Sequence, residues 1–242
     1  MDDSRRLIYT CHQPDLLPYS GFWYKMARAD MFDLKIWDQY VDRGYQRRVR
    51  MRDRWVNLPL VKGSRYDSIF VKRLQPDASA SLVDQIVKRY LSGGPKPAFW
   101  DERSPQILDG IRSVDTDALW TFNMRLVLLI RAVLGIETPV SISSPAGGED
   151  RGGNGIVTVM KTWDTDTMTY LSGTGARAYM GDCAPFRQAG IPVVWSAHQA
   201  ITGDSILSVI FDHEDPMSVV LREHDGAESQ QHVQQPSEAA AS

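Results

Sequence analysis

The sequence predicts an α/β fold in a single mixed domain, and its first 37 residues carry that prediction. Leu7–Cys11 is a short aliphatic and aromatic run typical of a buried strand, and Met31–Trp37 alternates as a second strand would. Between them, Ser20–Asp30 places its apolar residues at helical spacing. The chain therefore opens strand–helix–strand, which is the order of an α/β unit.

Two long helices are expected in the middle of the chain. Ser81–Leu91 begins with Ser81 and Asp84 as a capping pair, and Ala118–Leu134 carries a wide apolar stripe. Gly135 is expected to end the second helix, because glycine readily adopts the left-handed conformation found just after many helices. These central helices separate two regions that mix short strands and helices.

Three further segments have distinctive compositions. Arg43–Arg54 contains six arginines and is followed by an alternating run, which together favour a basic strand or ribbon. Ala146–Gly155 is rich in glycine and charge and predicts a mobile loop. Glu223–Ser242 contains no Leu, Ile, Phe, Tyr or Trp, so we expect one domain over residues 1–222 and a disordered tail over 223–242.

The composition excludes several classes of protein. With 43% hydrophobic and 24% charged residues, the 242-residue chain is neither collagen-like, disordered nor a coiled coil. A net charge of −3 gives no general attraction to polyanions. The two cysteines have no CxxC spacing, so we expect no disulfide, no metal site and a reduced, cytoplasmic setting. No apolar run is long enough to cross a membrane.

Two of the five histidines follow strand-like runs. His12 comes after Leu7–Cys11, and His198 comes after Ile191–Trp195. Residues at strand ends of an α/β sheet lie where ligands bind, although a lone histidine is more often structural than catalytic. Cys11 and His12 are not expected to form a thiol–imidazole pair, because adjacent residues of a strand point to opposite faces.

The arginine-rich segment has two interpretations. Arg48 and Arg50 could clamp a phosphate, since guanidinium offers a bidentate fork, and Tyr40 and Tyr45 could supply stacking faces. Arginines on an exposed edge strand also block unwanted strand pairing. The sequence leaves both interpretations open.

Several motifs together resemble the WbqC-like family of bacterial proteins, which is associated with polysaccharide and natural-product biosynthesis, including that of antibiotics. The similarity begins at His12-Gln13-Pro14 and continues through the aromatic Gly21-Phe22-Trp23 to Asp38-Gln39-Tyr40. Weaker matches follow at Trp55 to Pro59, Tyr170 to Gly173, Phe186 to Ile191, and His198. The sequence departs from the family pattern at Ser208, where the family has an acidic residue.

The resemblance implies an acyl- or aminoacyl-transferase that forms an amide, such as a glycyl transfer to a small amine. It would take an activated donor, bound to a carrier protein or to tRNA, and no cofactor. His12 or His198 is then the candidate base, and Gln13 or backbone amides are the candidate oxyanion donors.

Asp30 or Asp38 is the candidate orienting carboxylate, and Arg48 with Arg50 the donor clamp. The alternative is a non-catalytic accessory protein that binds a carrier protein or RNA.

Overall fold

A computed structural model describes residues 6–92, 94–143, 152–163 and 167–224. Seven strands and nine helices occur in this part of the chain. The strands are β1 (Leu7–His12), β2 (Met31–Leu34), β3 (Arg48–Met51), β4 (Arg54–Asn57), β5 (Val140–Ile142), β6 (Met168–Ser172) and β7 (Val193–Trp195). The helices are α1 (Ser20–Arg28), α2 (Ala78–Leu91), α3 (Trp100–Arg112), α4 (Leu119–Val133), α5 (Gly152–Met160), α6 (Arg177–Met180), α7 (Ala184–Gln188), α8 (Ile206–Asp212) and α9 (Pro216–Val220).

Five strands form one parallel sheet in the order β5-β2-β1-β6-β7. The chain first builds outward from β1 through β2 to β5, and then returns to the other side of β1 to add β6 and β7. The point between β1 and β6, where the direction of building reverses, is the topological switch point of the sheet. The α/β fold expected from the opening segment is confirmed.

The two faces of the sheet pack against different cores. Thr10 and His12 pair in register with Phe32 and Leu34, while Cys11 pairs with Asp33 on the opposite face. The larger core gathers α1, β2, the β3–β4 ribbon, α2–α4, α8 and α9. The smaller core joins the other face of β1 and β6 to α5, α6 and α7. Helices therefore cover both faces, as a parallel sheet requires.

The arginine-rich segment forms the antiparallel ribbon β3–β4. Val49 and Val56 are paired and buried on its inner face, whereas Arg48, Arg50 and Trp55 share its outer face. At the tip, Arg52 and Asp53 have positive φ. The ribbon thus buries its apolar residues against the larger core and turns its arginines outward.

Two expected boundaries differ in the structure, and a third is confirmed. Helix α2 begins at Ala78, so Ser81 lies inside it, where its carbonyl accepts a hydrogen bond from Gln85. Residues 152–155 of the predicted mobile loop form the first turn of α5, and residues 144–151 lie outside the described residues. Helix α4 ends as expected, with Gly135 at a φ of 66°.

Candidate functional site

The carboxyl end of β1 lies at the switch point of the sheet, where open α/β sheets bind their ligands. His12 is the last residue of β1, and the loop from Gln13 to Tyr19 leads from it to α1. The imidazole packs edge-on against Phe22 of α1, with ring centroids 5.1 Å apart. Its side chain stays 31% exposed. A substrate can therefore reach the ring although the surrounding loop is buried.

Two oxygen atoms fix the orientation of the His12 ring. Nδ1 lies 3.0 Å from the Gln13 carbonyl oxygen and 3.5 Å from a carboxylate oxygen of Asp15. A carbonyl oxygen can only accept a hydrogen bond, so Nδ1 carries the proton in the neutral ring. Nε2 therefore holds the lone pair, and it makes no hydrogen bond to the described residues.

The electrostatic environment keeps His12 neutral at physiological pH. Burial, aided by the positive charges of Lys25 and Lys35, lowers the pKa of His12 from its ordinary 6.5 to about 3. A neutral imidazole has the protonation state that a general base needs.

Asp15 and Lys25 form a buried pair of titratable groups beside His12. Burial raises the pKa of Asp15 to about 7, with Lys25 and Gln46 opposing the shift. Burial also lowers the pKa of Lys25 to about 8. The Lys25 ammonium donates a 3.0 Å hydrogen bond to the Cys11 carbonyl and so ties α1 to the end of β1. Groups whose environments move their pKa values toward neutrality are frequent at functional sites.

Sequence reasoning missed both residues. Asp15 lies in a loop, and Lys25 is a charged residue in α1, where a buried position is not expected. One signal for Asp15 was its place in the His-Gln-Pro-Asp run, directly after the strand.

Gln13 and Asp38 belong to the same polar network as His12. The Gln13 amide donates a 2.9 Å hydrogen bond to Asp38, and the Lys35 ammonium lies 3.1 Å from the same carboxylate. The Gln13 amide oxygen accepts a short hydrogen bond from Gln46. Asp38 therefore orients Gln13 rather than His12. One N–H of the Gln13 amide is left to serve a ligand.

Asp30 lies at the amino end of the sheet. Its carboxylate accepts a 2.8 Å hydrogen bond from the backbone N–H of Ile8, and its own N–H donates to the Ile8 carbonyl. These bonds join the chain that enters β2 to the start of β1. The structure thus places Asp30 away from the strand ends that carry His12 and Gln13.

His198 lies on the other side of α1 from His12. Its Nε2 is 2.8 Å from the Ser20 hydroxyl, and its ring lies against Tyr24, one turn further along the same face. Phe22, which contacts His12, is about 200° around the helix from Ser20. His198 also forms an isolated β-bridge with Glu223. Its contacts connect α1 to the C-terminal segment.

The two predicted clamp arginines differ in their partners. Arg50 is paired with the carboxylates of Asp53 and Asp204, at 2.7 and 3.3 Å. Arg48 makes no ion pair with a described residue, and its guanidinium lies over the Trp55 ring at 4.0 Å from the centroid. The positive charge of Arg50 is thus largely neutralised, whereas that of Arg48 is available to an anion.

Other chemistry-bearing residues have structural partners. Cys11 and Cys183 are buried free thiols, and burial raises the pKa of both. Ser208 is 2.9 Å from the Tyr90 hydroxyl, which gives this position a buried structural partner.

Within the described ranges, no group of three His, Cys, Asp or Glu side chains is arranged to hold a metal. None of the described helices is long and apolar enough to span a bilayer.

Comparison with known proteins gives one match. No curated protein and no solved structure matches the sequence. Residues 13–202, which are most of the chain and include Gln13, Asp38 and His198, match the WbqC-like protein family. On this evidence, the chain belongs to the WbqC-like protein family.

Proposed function

We propose that this protein transfers an acyl or aminoacyl group from an activated donor to a small amine, with His12 as the general base. The observation that carries the proposal is the fixed tautomer of His12. Its Nδ1–H is held by the Gln13 carbonyl beside Asp15, and Nε2 keeps a lone pair on a side chain that is partly exposed. A base oriented by a second group is the arrangement that acyl transfer uses on many folds.

The proposed reaction is balanced by one proton relay. The neutral amine attacks the donor carbonyl carbon, a C–N bond forms, and the nitrogen becomes positively charged in the tetrahedral intermediate. His12 Nε2 takes a proton from that nitrogen. The C–S or C–O bond to the carrier then breaks, and the imidazolium returns the proton to the leaving thiol or hydroxyl.

The environment of His12 suits this relay. A pKa of about 3 makes the imidazolium a strong acid, so the proton passes readily to the leaving group. Because the ring is neutral at physiological pH, its Nε2 lone pair is ready to accept the proton from the positively charged nitrogen. The second N–H of the Gln13 amide is a side-chain candidate to stabilise the oxyanion.

Direct product detection tests the proposal. The full chain is incubated with a carrier-protein thioester or an aminoacyl-tRNA and a panel of primary amines, and amide products are followed by mass spectrometry. We expect an amide whose formation needs the protein and is lost in His12→Gln. If folded protein binds the donor but forms no amide with any acceptor, the transferase proposal fails and the accessory-protein alternative takes its place.

A further inference from the structure

Three aromatic side chains and one arginine form an exposed strip between the His12 loop and the β3–β4 ribbon. Tyr19 is 45% exposed, Tyr45 57% and Trp55 37%. The Tyr45 and Trp55 rings are 6.0 Å apart, and the Arg48 guanidinium covers part of Trp55. We call Tyr19, Tyr45, Trp55 and Arg48 the aromatic strip. Large aromatic rings left in water are costly, so an exposed group of them marks a binding surface.

The strip is joined to the candidate site by backbone and side-chain contacts. The Tyr45 carbonyl accepts a 2.9 Å hydrogen bond from the N–H of Leu16, within the loop that carries Asp15. The next residue, Gln46, donates to both Gln13 and Asp15. The pKa of Tyr19 is raised by burial and then by the nearby groups of Tyr45 and Asp15. A ligand lying along the strip would therefore end beside the His12–Asp15 loop.

Gly21 holds the Tyr19 ring in place. A Cβ built on Gly21 would lie 2.6 Å from the Tyr19 hydroxyl and 2.7 Å from ring carbons. The ring therefore folds over the first turn of α1 because residue 21 has no side chain. This close packing gives Tyr19 a fixed position although it is half exposed.

The charge of the strip adds a second requirement on the ligand. Arg47 is paired with Asp42, Arg50 with Asp53 and Asp204, and Arg52 with Asp212, whereas Arg48 has no carboxylate partner in the described part of the chain. A guanidinium on an aromatic face offers both a stacking plane and an anion-binding fork. The matching ligand is a planar base that bears phosphate.

We propose that the aromatic strip binds the nucleotide portion of the acyl donor and directs its acyl end toward His12. This inference rests on the proposed function and makes it more specific, because it selects a nucleotide-bearing donor over one held only by a carrier protein. The nucleotide could belong to a small acyl carrier such as coenzyme A or to the 3′ end of an aminoacyl-tRNA. Both present a stackable base close to phosphate.

Binding of AMP tests the proposal without any need for turnover. Adenosine and inorganic phosphate, titrated separately, test the base and the anion, and affinity is measured calorimetrically. We expect AMP to bind more tightly than either fragment. Trp55→Ala should weaken AMP binding about tenfold or more, because stacking on one ring contributes strongly to nucleotide affinity. Trp55→Phe should retain most of the affinity, and Arg48→Ala should weaken AMP much more than adenosine.

The Arg65–Tyr66 pair provides a matched control. It is another exposed cation–aromatic contact, with the guanidinium 4.8 Å from the ring centroid, and Tyr66 is 70% exposed. Tyr66→Ala should leave AMP affinity unchanged. Gly21→Ala should weaken AMP binding by displacing Tyr19, and circular dichroism checks that the variant is folded.

Competition then separates the two sources of nucleotide. Coenzyme A and a short RNA ending in CCA are titrated against bound AMP, and the tighter competitor identifies the donor class. His12→Gln should bind AMP normally, so loss of activity and loss of nucleotide binding are independent results. The proposal is overturned if AMP does not bind saturably, or if AMP binding is insensitive to Trp55→Ala and Arg48→Ala.

Discussion

The two histidines beside α1 have opposite surroundings. His12 ends the central strand of the sheet, has Nδ1 fixed by oxygen atoms and keeps Nε2 free. His198 uses Nε2 to contact Ser20, and its chain segment bridges to Glu223. Burial lowers the pKa of both rings, so the protonation state alone does not separate them. What separates them is which nitrogen is left for a substrate, and this favours His12 as the base.

Replacement of each histidine gives the largest expected difference. His12→Gln should lose at least about 10²-fold in kcat while keeping a near-native melting temperature, because a general base contributes about 10²–10⁴-fold to rate. His198→Gln should keep the kcat of the folded protein and lose about 1 kcal/mol of stability with its Ser20 hydrogen bond.

The two variants are compared by steady-state kinetics and thermal unfolding, with His213→Gln at the end of α8 as the control. Exogenous imidazole should partly restore activity to His12→Ala, since the His12 side chain is partly exposed. The opposite pattern, with an inactive His198→Gln and an active His12→Gln, would identify His198 as the general base.

Local patterns predicted the elements whose signals lie within a few residues. The β1–α1–β2 opening and the end of α4 at Gly135 follow the predicted pattern to within a few residues. Helix α3 was not predicted, because it contains Pro105, which normally ends or kinks a helix. The tertiary packing of its buried apolar face outweighs that local cost.

The candidate site was predictable only in part, because local sequence signals do not report tertiary contacts. His12 and Gln13 could be found because residues directly after a parallel strand lie where ligands bind. Asp15 and Lys25 acquire their chemistry from burial, which depends on contacts with distant parts of the chain such as Gln46. No pattern along the sequence reports burial of a charged residue in a loop.

The pH dependence of stability separates the contributions of His12 and Asp15. The lowered pKa of His12 makes the free energy of unfolding rise with pH between about 3 and 6.5, because the unfolded state binds the extra proton. The raised pKa of Asp15 makes the free energy of unfolding fall between about pH 4 and pH 7, because the folded state keeps the proton. In the wild-type protein these two slopes oppose each other.

Single variants should reveal each slope. Asp15→Asn should become more stable, relative to wild type, as the pH rises from 4 to 7, by at most about 1.4 kcal/mol per pH unit. His12→Gln should become less stable, relative to wild type, as the pH rises over the same range. The slope should be smaller, since the wild-type His12 side chain is partly exposed. Urea unfolding at pH 4, 5, 6 and 7 measures both. Parallel curves for wild type and Asp15→Asn would show that Asp15 titrates normally in the folded protein.

The His198 side of α1 gives the smallest expected effect, and it includes the contacts of Glu223. Glu223 is the first residue of the segment predicted to be a disordered tail, and its carboxylate accepts a 2.6 Å hydrogen bond from the Tyr24 hydroxyl and pairs with Arg28. The hydrogen bond from Tyr24, together with Arg28, lowers the pKa of Glu223. Residues 225–242 lie outside the described residues.

Glu223→Gln should therefore lower the free energy of unfolding by about 1 kcal/mol at pH 7, the scale of a partly exposed charged contact. The difference should disappear as the pH falls through the lowered pKa, where the wild-type carboxylate also becomes protonated. Deletion of residues 225–242 is the matched control and should leave the melting temperature unchanged, because the segment lacks core-forming residues. Urea unfolding of the three proteins at pH 7 and pH 3 measures the contrast. If the deletion costs more stability than Glu223→Gln, residues after His224 contribute to the folded domain.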